Sequence, residues 1–387
     1  MKLNLNDLSP ETFLSQYWQK KPLVIRQGFK NFEDFLSPDE LAGVASDELV
    51  ESRLIYKKEG KWKAEFGPFQ SYDHLGESNW SLVIQALNNW IPDLNQLIDS
   101  FSFIPRWRFD DVMTSFATPG GGVGPHIDAY DVFICQGSGR RHWRVGNAGN
   151  HKEFVAHPAL LHTEAFEAII DVELEPGDIL YIPPGFPHEG VALEPSMSFS
   201  VGYRASSARD MFSSLADHMV DNELAPQQIE DPDRTPCEHS GMITKDDFSR
   251  IKKHLLETLD DTLISQFAGR FLTQSKCELD LPEEGLGFEP DYFLEMIEQQ
   301  ELIRLGGLRC LYLEESVDKG LFYINGEQVT LPLELAPVIP LLCNQQTLSH
   351  EELSPWLSNN QFVDALIKWL NEGYWYFEEE DEEEEYE

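Results

Sequence analysis

Six short β-strand patterns, separated by glycine and proline turns, fill residues 107–204 and constrain the fold more than any other feature of the sequence. In chain order they read WRFDDVMTSFAT, YDVFICQG, RRHWRVGN, EAIIDVEL, GDILYIPP and MSFSVGYRA. Strands of this length with turns between them are typical of a small antiparallel sandwich or barrel. Residues 1–100 mix helical and short strand patterns, among them a hairpin turning at Glu59 and Gly60. We therefore predict a mainly β domain over residues 1–204, with its core sheet at about 100–204.

Beyond Arg204 the sequence becomes helical, and its apolar residues form two stripes. The stripes consist of Met211, Phe212, Leu215 and Met219, and of Ile251, Leu255, Leu259, Leu263 and Phe267 at four-residue spacing. Such stripes pack either in the protein's own core or against a second copy of the chain. Because they lie between two domains, we expect residues 205–277 to form a helical dimerisation region and the protein to be a homodimer.

Residues 278–377 combine small helices with a β pair, an order that resembles a winged-helix domain. The chain carries a net charge of −39, and residues 378–387, EEEDEEEEYE, supply nine of its acidic side chains. An acidic body repels nucleic-acid phosphates and attracts basic proteins, although acidity also serves solubility alone. We expect a disordered acidic tail at 378–387, no direct nucleic-acid binding, and a winged helix that contacts protein or is structural.

The sequence predicts a cytoplasmic protein without a membrane segment. It contains no run of about 18 to 20 apolar residues, and its start, MKLNLNDLSPETFL, has no basic region followed by an apolar one. Its five cysteines are scattered, odd in number and free of C-x-x-C spacing. This pattern argues against a disulfide framework and against a structural zinc site.

Three side chains in the β-rich segment have the residue types of a metal site. His126 and Asp128 lie two positions apart in GPHIDAYDVF, a spacing that puts both on one face of a strand. His188 follows the apolar strand and double proline of GDILYIPPGFPH, where a turn can present it to the other two. Two imidazoles and one carboxylate are the ligands of non-haem Fe(II) oxygenases. A zinc or manganese cupin would need a glutamate shortly after residue 128, and AYDVFICQG contains none.

An arginine in the same domain predicts how a cosubstrate is anchored. In this chemistry 2-oxoglutarate chelates the iron, and its distant carboxylate needs a buried cation. On the strand RRHWRVG, Arg141, Trp143 and Val145 share the more apolar face, so Arg141 is the predicted partner of that carboxylate. Two alternatives stay open: Arg141 pairs with an internal acid, Asp110 or Asp111, or Arg140 takes the role. Ser115 and Met113, on DDVMTSF, are weaker predictions for the lining of the same pocket.

Several segments together resemble the JmjC-type ribosomal oxygenases of the cupin superfamily. They are FLSQYWQKKPLVIRQGF, YDHLGESNWSLVIQALN, RWRFDDVMTSFATPGGGVGPHIDAYDVFICQGSGRRHWRVG, EAIIDVELEPGDILYIPPGFPHEG and SFSVGYRA, with ELIRLGGLRC and GYWYF in the C-terminal part. The resemblance implies a double-stranded β-helix catalytic domain, a helical dimerisation region and a C-terminal winged helix. It also implies Fe(II) held by the catalytic residues His126, Asp128 and His188, with Arg141 binding 2-oxoglutarate.

The implied reaction is hydroxylation of an arginine, at C3, in a basic protein of the large ribosomal subunit, with succinate and CO2 as coproducts. Asp110, Asp111, Tyr130 and Asp131 are possible partners of the substrate guanidinium, and each of them also fits a purely structural role. Two other functions fit the sequence. The same metal centre could demethylate N-methyl-lysine, or the chain could be a non-catalytic cupin scaffold in ribosome assembly.

Overall fold

The computed structural model of the chain describes residues 1–236, 238–275, 279–282 and 287–378, and it divides into two compact units, Met1–Ala205 and Ser206–Glu387. The predicted acidic tail lies outside the described residues apart from Glu378, as do Cys237 and Cys277.

The first unit is built mainly from strands. Its helices are α1 (Pro10–Gln16), α2 (Pro38–Val44) and α3 (Asn95–Asp99). Its strands are β1 (Leu23–Ile25), β2 (Ser52–Lys58), β3 (Lys61–Phe66), β4 (Trp80–Ile84), β5 (Phe109–Ala117), β6 (His126–Ile127), β7 (Asp131–Gln136), β8 (Arg141–Gly146), β9 (Glu153–His157), β10 (Leu160–Thr163), β11 (Ala168–Leu174), β12 (Ile179–Ile182), β13 (Pro187–Ala192) and β14 (Ser196–Tyr203).

These strands form one large sheet and two smaller ones. The large sheet has the order β1-β12-β7-β14-β5-β4-β2-β3, a four-stranded sheet has the order β11-β8-β13-β6, and β9 pairs with β10. Val132, Ile134 and Leu180 on the large sheet pack in one apolar cluster with Trp143 and Val145 on the four-stranded sheet. The two sheets therefore face each other, and the predicted double-stranded β-helix is confirmed.

The outer face of the large sheet is covered by the N-terminal helices. Phe13 of α1, Leu41 of α2 and Leu97 of α3 are buried in the same cluster as Phe133 and Phe199 of the large sheet. Because side chains alternate along each strand, this cluster takes the odd-numbered residues of β7 and β14 and leaves the even-numbered ones facing the four-stranded sheet. The predicted hairpin is also present, with Glu59 and Gly60 at positive φ between β2 and β3.

The second unit combines helices with two small sheets. Its helices are α4 (Ala208–Asp221), α5 (Lys245–Thr258), α6 (Asp261–Thr273), α7 (Pro290–Gln299), α8 (Ile339–Asn344), α9 (His350–Leu353) and α10 (Asn360–Asn371). Its strands are β15 (Leu302–Arg304), β16 (Cys310–Leu311), β17 (Leu321–Ile324), β18 (Glu327–Thr330), β19 (Thr347–Leu348) and β20 (Trp375–Tyr376), in the sheet orders β19-β15-β20 and β16-β17-β18.

The apolar stripe at residues 251–267 spans two helices rather than one. Helix α5 ends at Thr258, and the carboxylate of Asp260 accepts a hydrogen bond from the backbone N–H of Leu263, which caps the start of α6. Helix α6 then packs within its unit, with Gly269 against the ring of Tyr323 and the hydroxyl of Thr273 accepting the N–H of Gly326. The predicted dimerisation region, 205–277, and the predicted winged helix, 278–377, thus fall in one compact unit from Ser206 onward. The boundary between them stays a prediction.

A helix that crosses a membrane must be both long and apolar. In the described part of the chain, none of the helices combines the length and the apolar character that crossing a bilayer requires.

Candidate metal centre

Two imidazoles meet across neighbouring strands of the four-stranded sheet. Strand β13 pairs with β6 so that His188 lies directly opposite His126, and their ring centroids are 4.3 Å apart. Facing positions of an antiparallel pair carry side chains on the same side of the sheet. Strand pairing therefore brings together two histidines that are far apart in the sequence.

Backbone carbonyls fix the orientation of both rings. Nδ1 of His126 lies 3.0 Å from the carbonyl oxygen of Gly124, and Nδ1 of His188 lies 2.9 Å from that of Phe186. A carbonyl only accepts, so each Nδ1 carries the proton and donates it. The lone pair of each ring is then on Nε2, the atom that faces the carboxylate of Asp128.

Asp128 completes a group of three. Its Oδ2 lies 3.7 Å from Nε2 of His126 and 3.5 Å from Nε2 of His188. One ligand atom from each of the three residues lies within 4.8 Å of the others, and no second such group occurs among the residues that the structure describes. The expected convergence of His126, Asp128 and His188 is therefore present in the structure.

The position of Asp128 differs in detail from the sequence prediction. Strand β6 ends at Ile127, so Asp128 is not part of a continuous strand with His126. Its backbone is held instead by the turn that follows β12, where the N–H of Gly185 donates to the Asp128 carbonyl at 2.8 Å. Gly185 has a φ of +83°, which favours glycine. His188 likewise lies in β13 rather than in the turn itself.

The protonation states of the group suit a cation. Burial, assisted by the neighbouring His188, lowers the pKa of His126 to about 4. Burial acts to raise the pKa of Asp128, but the adjacent imidazoles of His188 and His126, which favour the ionised carboxylate, outweigh it and bring this pKa to about 2. Near neutral pH the group offers a neutral imidazole and an ionised carboxylate, which are the forms that bind metal. Two nitrogens and one oxygen match the facial donor set of non-haem Fe(II).

Two histidines outside this group, His142 and His162, have other partners. Nε2 of His142 is 2.6 Å from a carboxylate oxygen of Asp171 at the protein surface. Nε2 of His162 is 2.9 Å from the carbonyl of Val123, and its ring packs edge-on against Trp62. Both are satisfied without a metal.

Arg141 is buried between the two sheets with no carboxylate among its recorded partners. It is 7% exposed, and it donates hydrogen bonds to Oγ and the carbonyl of Ser115 and to Oγ and the carbonyl of Ser196, at 2.8 to 2.9 Å. Burial lowers its pKa to about 10, which leaves it charged at neutral pH. A buried cation whose neighbours are neutral is a ready site for an anion.

The structure decides between the alternatives for this arginine. Asp110 pairs with Arg204 at 3.1 Å, and Asp111 accepts hydrogen bonds from Gln85 and from the backbone of Ala86, so neither acid is paired with Arg141. Arg140 is partly exposed to solvent and pairs with Glu173 and Glu194. The prediction that Arg141 rather than Arg140 faces the interior agrees with the burial of β8, in which residues 141, 143 and 145 are buried.

Ser115 and Met113, the two residues predicted to line the cosubstrate pocket, have different surroundings. Ser115 contacts the Arg141 guanidinium directly. Met113, two residues before it, packs in a separate apolar cluster with Ile55, Val83 and Leu160. The structure therefore brings Ser115, but not Met113, to the guanidinium.

Sequence reasoning missed Ser196, which receives two of the arginine's hydrogen bonds. The segment SMSFSVGY alternates serine with apolar residues, and the serines share the face that looks toward the four-stranded sheet. That alternation was the signal that could have identified Ser196. Its pairing with Arg141 depends on β14 lying beside β5, which the sequence does not reveal.

Among the predicted partners of a substrate guanidinium, Asp131 is excluded. Its carboxylate is fully buried and accepts hydrogen bonds from the hydroxyl of Tyr181 at 2.6 Å and from Gln19 at 2.9 Å. Tyr130 is close to the metal ligands instead, because its hydroxyl helps to lower the pKa of Asp128, and the guanidinium carbon of Arg204 lies 5.5 Å from its ring centroid.

Comparison with known families covers both units. Residues 96–211 match the JmjC domain family, and residues 253–376 match the ROXA-like winged helix. The predicted winged helix is thereby confirmed.

Relatives that align over nearly the whole chain are a ribosomal protein hydroxylase and a probable ribosomal oxygenase. The chain is 46% identical to the ribosomal protein uL16 3-hydroxylase of Escherichia coli (strain K12), over 95% of this chain and 97% of that one. It is 31% identical to a probable ribosomal oxygenase of Haemophilus influenzae, over 95% and 96%. The Escherichia coli ribosomal oxygenase YcfD in complex with cobalt and 2-oxoglutarate has a TM-score of 0.88 at 43% identity, covering 98% of this chain and 99% of that one. A complex of the same protein with cobalt and succinic acid has the same TM-score and identity.

Proposed function

The chain belongs to the JmjC-domain ribosomal oxygenases, and from this we propose that it is an Fe(II)- and 2-oxoglutarate-dependent dioxygenase that hydroxylates C3 of an arginine in the ribosomal protein uL16. The observation that carries the proposal is the convergence of His126, Asp128 and His188 in the same β-helix as a buried arginine, Arg141, that has no carboxylate partner among the described residues. The cobalt and 2-oxoglutarate bound by the YcfD relative support it.

The proposed roles follow from the contacts. His126, Asp128 and His188 would hold Fe(II) through two imidazole nitrogens and one carboxylate oxygen, the donor set of non-haem iron oxygenases. Bound iron supplies the activation of dioxygen that oxidises an unactivated C–H bond, which amino-acid side chains cannot do. Arg141, positioned by Ser115 and Ser196, receives the distant carboxylate of 2-oxoglutarate and so directs its keto-acid end toward the three ligands. The apolar walls Val132, Ile134 and Trp143 exclude water from the space between.

The balance of atoms is that of a dioxygenase. One oxygen atom of dioxygen enters the hydroxyl group of the substrate, and the other enters succinate as 2-oxoglutarate loses CO2. The hydrogen removed from the arginine carbon returns in the new hydroxyl group. The protein's residues therefore need only to hold and orient the reactants.

The substrate proposed here is a basic protein, in keeping with the net charge of −39 on this chain. For the arginine itself we retain Asp111 and Tyr130 as partners, because Asp111 shares the face of β5 on which Ser115 contacts Arg141, and the Tyr130 hydroxyl is near enough to lower the pKa of Asp128. The same net charge disfavours direct binding of nucleic acid.

The product identifies the reaction. When the iron-loaded enzyme is incubated with 2-oxoglutarate and purified unmodified uL16, we expect tandem mass spectrometry to find one added oxygen atom on one arginine. Omitting 2-oxoglutarate or chelating the metal should abolish the change. Loss of methyl groups from an N-methyl-lysine peptide, with unmodified arginine, would favour the demethylase. Binding of uL16 without turnover of 2-oxoglutarate would favour a non-catalytic scaffold.

We also propose that the chain forms a homodimer through α4 and α5. Helix α5 has no buried side chain within its own unit, and Phe248 and Leu255 are 63% and 60% exposed. The exposed large apolar side chains from α4 to α5 are Met211, Phe212, Val220, Leu224, Ile229, Met242, Ile243, Phe248, Ile251, Leu255 and Leu256. A soluble protein rarely leaves so many of them uncovered on adjacent segments, and a second copy of the chain would cover them.

Charged substitutions on α5 test the dimer. We expect the double variant Leu255→Glu/Leu256→Glu to elute with the mass of a monomer in size-exclusion chromatography with light scattering, because two carboxylates would be buried without partners in the interface. Arg250→Glu introduces a carboxylate at an exposed position on the other face of the same helix and should leave the dimer intact. A monomeric wild-type protein, or an unchanged dimer in the double variant, would contradict the proposal.

A further inference from the structure

The indole N–H of Trp143 is buried in the β-helix without a hydrogen-bond partner. Trp143 is 7% exposed, and its Nε1 lacks an acceptor within the described residues. A buried donor that is left unpaired loses its hydrogen bonds to water and gains nothing in return. Buried tryptophans normally find a partner for this group. The orphaned N–H thus indicates that an acceptor from outside the chain binds here.

Strand register places Trp143 between the metal ligands and the anion site. Along β8 the residues facing inward are Arg141, Trp143 and Val145, and Val145 is directly opposite His188 on β13. The indole is close to that ligand, with its centroid 6.2 Å from the imidazole of His188. A molecule that reaches from the metal ligands to the guanidinium must therefore pass the indole.

A glycine on the neighbouring strand makes room for the ring. Gly190 is the residue opposite Trp143, and a Cβ at this position would come within 2.6 to 2.8 Å of three atoms of the indole. These atoms include Cε2, which is bonded to Nε1. Any larger residue at position 190 would displace the ring. The glycine therefore allows the indole to lie directly against the backbone of β13.

The opposite sheet presents a second unpartnered group to the same space. Ser198 is buried on β14, its Oγ has no partner in the described chain, and it is directly opposite Ser115, which binds Arg141. Arg141 itself has five N–H donors, and its four recorded hydrogen bonds leave one of them for a ligand. Three donor groups from two facing sheets thus surround one space, a composition that suits an anionic acceptor.

We propose that Trp143 is a cosubstrate-binding residue whose indole N–H donates a hydrogen bond to a carboxylate oxygen of the 2-oxo dicarboxylic acid held by Arg141. This inference rests on the proposed function and adds to it a residue that neither metal ligation nor charge pairing requires. The hydrogen bond orients the bound acid along the line from Arg141 to the metal ligands, because the indole is held rigidly by Gly190.

Binding of 2-oxoglutarate to the cobalt-loaded enzyme tests the proposal without turnover. Trp143→Phe keeps an aromatic wall but removes the N–H, and we expect calorimetry to show a Kd for 2-oxoglutarate about tenfold or more higher than in the wild type. The affinity for cobalt should be unchanged. Trp375→Phe is the matched control, because Trp375 also has a buried, unpartnered Nε1 but lies in the other unit. It should bind 2-oxoglutarate as the wild type does.

A measurement on the wild-type protein covers the case in which Trp143→Phe does not fold. In the zinc-loaded enzyme labelled with 15N-tryptophan, addition of 2-oxoglutarate should move one of the nine indole N–H resonances strongly downfield, as a new charged hydrogen bond requires. If the wild type binds 2-oxoglutarate but Trp143→Phe binds it equally well, or no indole resonance moves downfield, the inference is overturned while the proposed function stands. If the metal-loaded wild type does not bind 2-oxoglutarate at all, the proposed function fails first.

Discussion

Asp128→Ala and His188→Ala enzymes are expected to lose conversion of 2-oxoglutarate to succinate in the presence of uL16 by more than about 100-fold. Each substitution removes one of three donor atoms that lie within 4.8 Å of one another. Even changes to groups around a metal ligand typically lower affinity or activity 10- to 100-fold, and loss of the ligand itself should exceed this. The measurements are succinate formation by mass spectrometry and iron content after dialysis.

A surface pair offers the matched control for these variants. His142 and Asp171 form a histidine–carboxylate contact of 2.6 Å outside the candidate metal centre. His142→Ala and Asp171→Ala should retain full iron content and turnover. If Asp128→Ala or His188→Ala retained wild-type iron content and turnover, these residues would not be metal ligands.

Arg141→Met is expected to raise the Kd for 2-oxoglutarate by about 100-fold or more. Truncating one partner of a buried, hydrogen-bonded charge pair costs about 2–5 kcal/mol, and the variant would leave the carboxylate of the bound acid without its cation. Calorimetry on the cobalt-loaded protein measures the effect. Because Arg141 has only neutral partners in the described chain, the variant without cosubstrate should unfold at the same temperature as the wild type or higher.

Arg140→Met separates this role from a general effect of positive charge. Arg140 is the adjacent residue of the chain, but its side chain is 43% exposed and pairs with Glu173 and Glu194. Its replacement should leave the Kd for 2-oxoglutarate within about twofold of the wild-type value, since exposed ion pairs contribute little. An equal loss of affinity in the two variants would argue against a specific carboxylate site at Arg141.

The sequence predicted the residues whose positions follow from strand alternation. Arg141 was assigned to the interior because Trp143 and Val145 share its face, and the three residues are buried as expected. The two histidines were identified by type and context. Their register, with His188 directly opposite His126, could not be predicted because it depends on a pairing between strands about 60 residues apart.

Other features depended on tertiary structure and were missed or predicted imprecisely. Asp128 is held by a hydrogen bond from Gly185, a contact across the fold rather than a property of its own strand. Ser196 was missed because its partner Arg141 comes from the other sheet. The apolar stripe at residues 251–267 gives no sign of the break between α5 and α6, because its four-residue spacing continues through Leu259. In the structure α5 ends at Thr258 and Asp260 caps the start of α6. Local signals predict faces and caps, but not which strands become neighbours.

Strand β6, which carries His126, is two residues long and lies at the edge of the four-stranded sheet. Only two residue pairs join it to β13, so the ligand belongs to one of the least firmly attached strands of the unit. An ion bound by both His126 and His188 would link this edge strand to β13. Metal occupancy should therefore slow proteolysis and amide hydrogen exchange most at residues 119–128, and the same edge should be the first part of the β-helix to open when the metal is withdrawn.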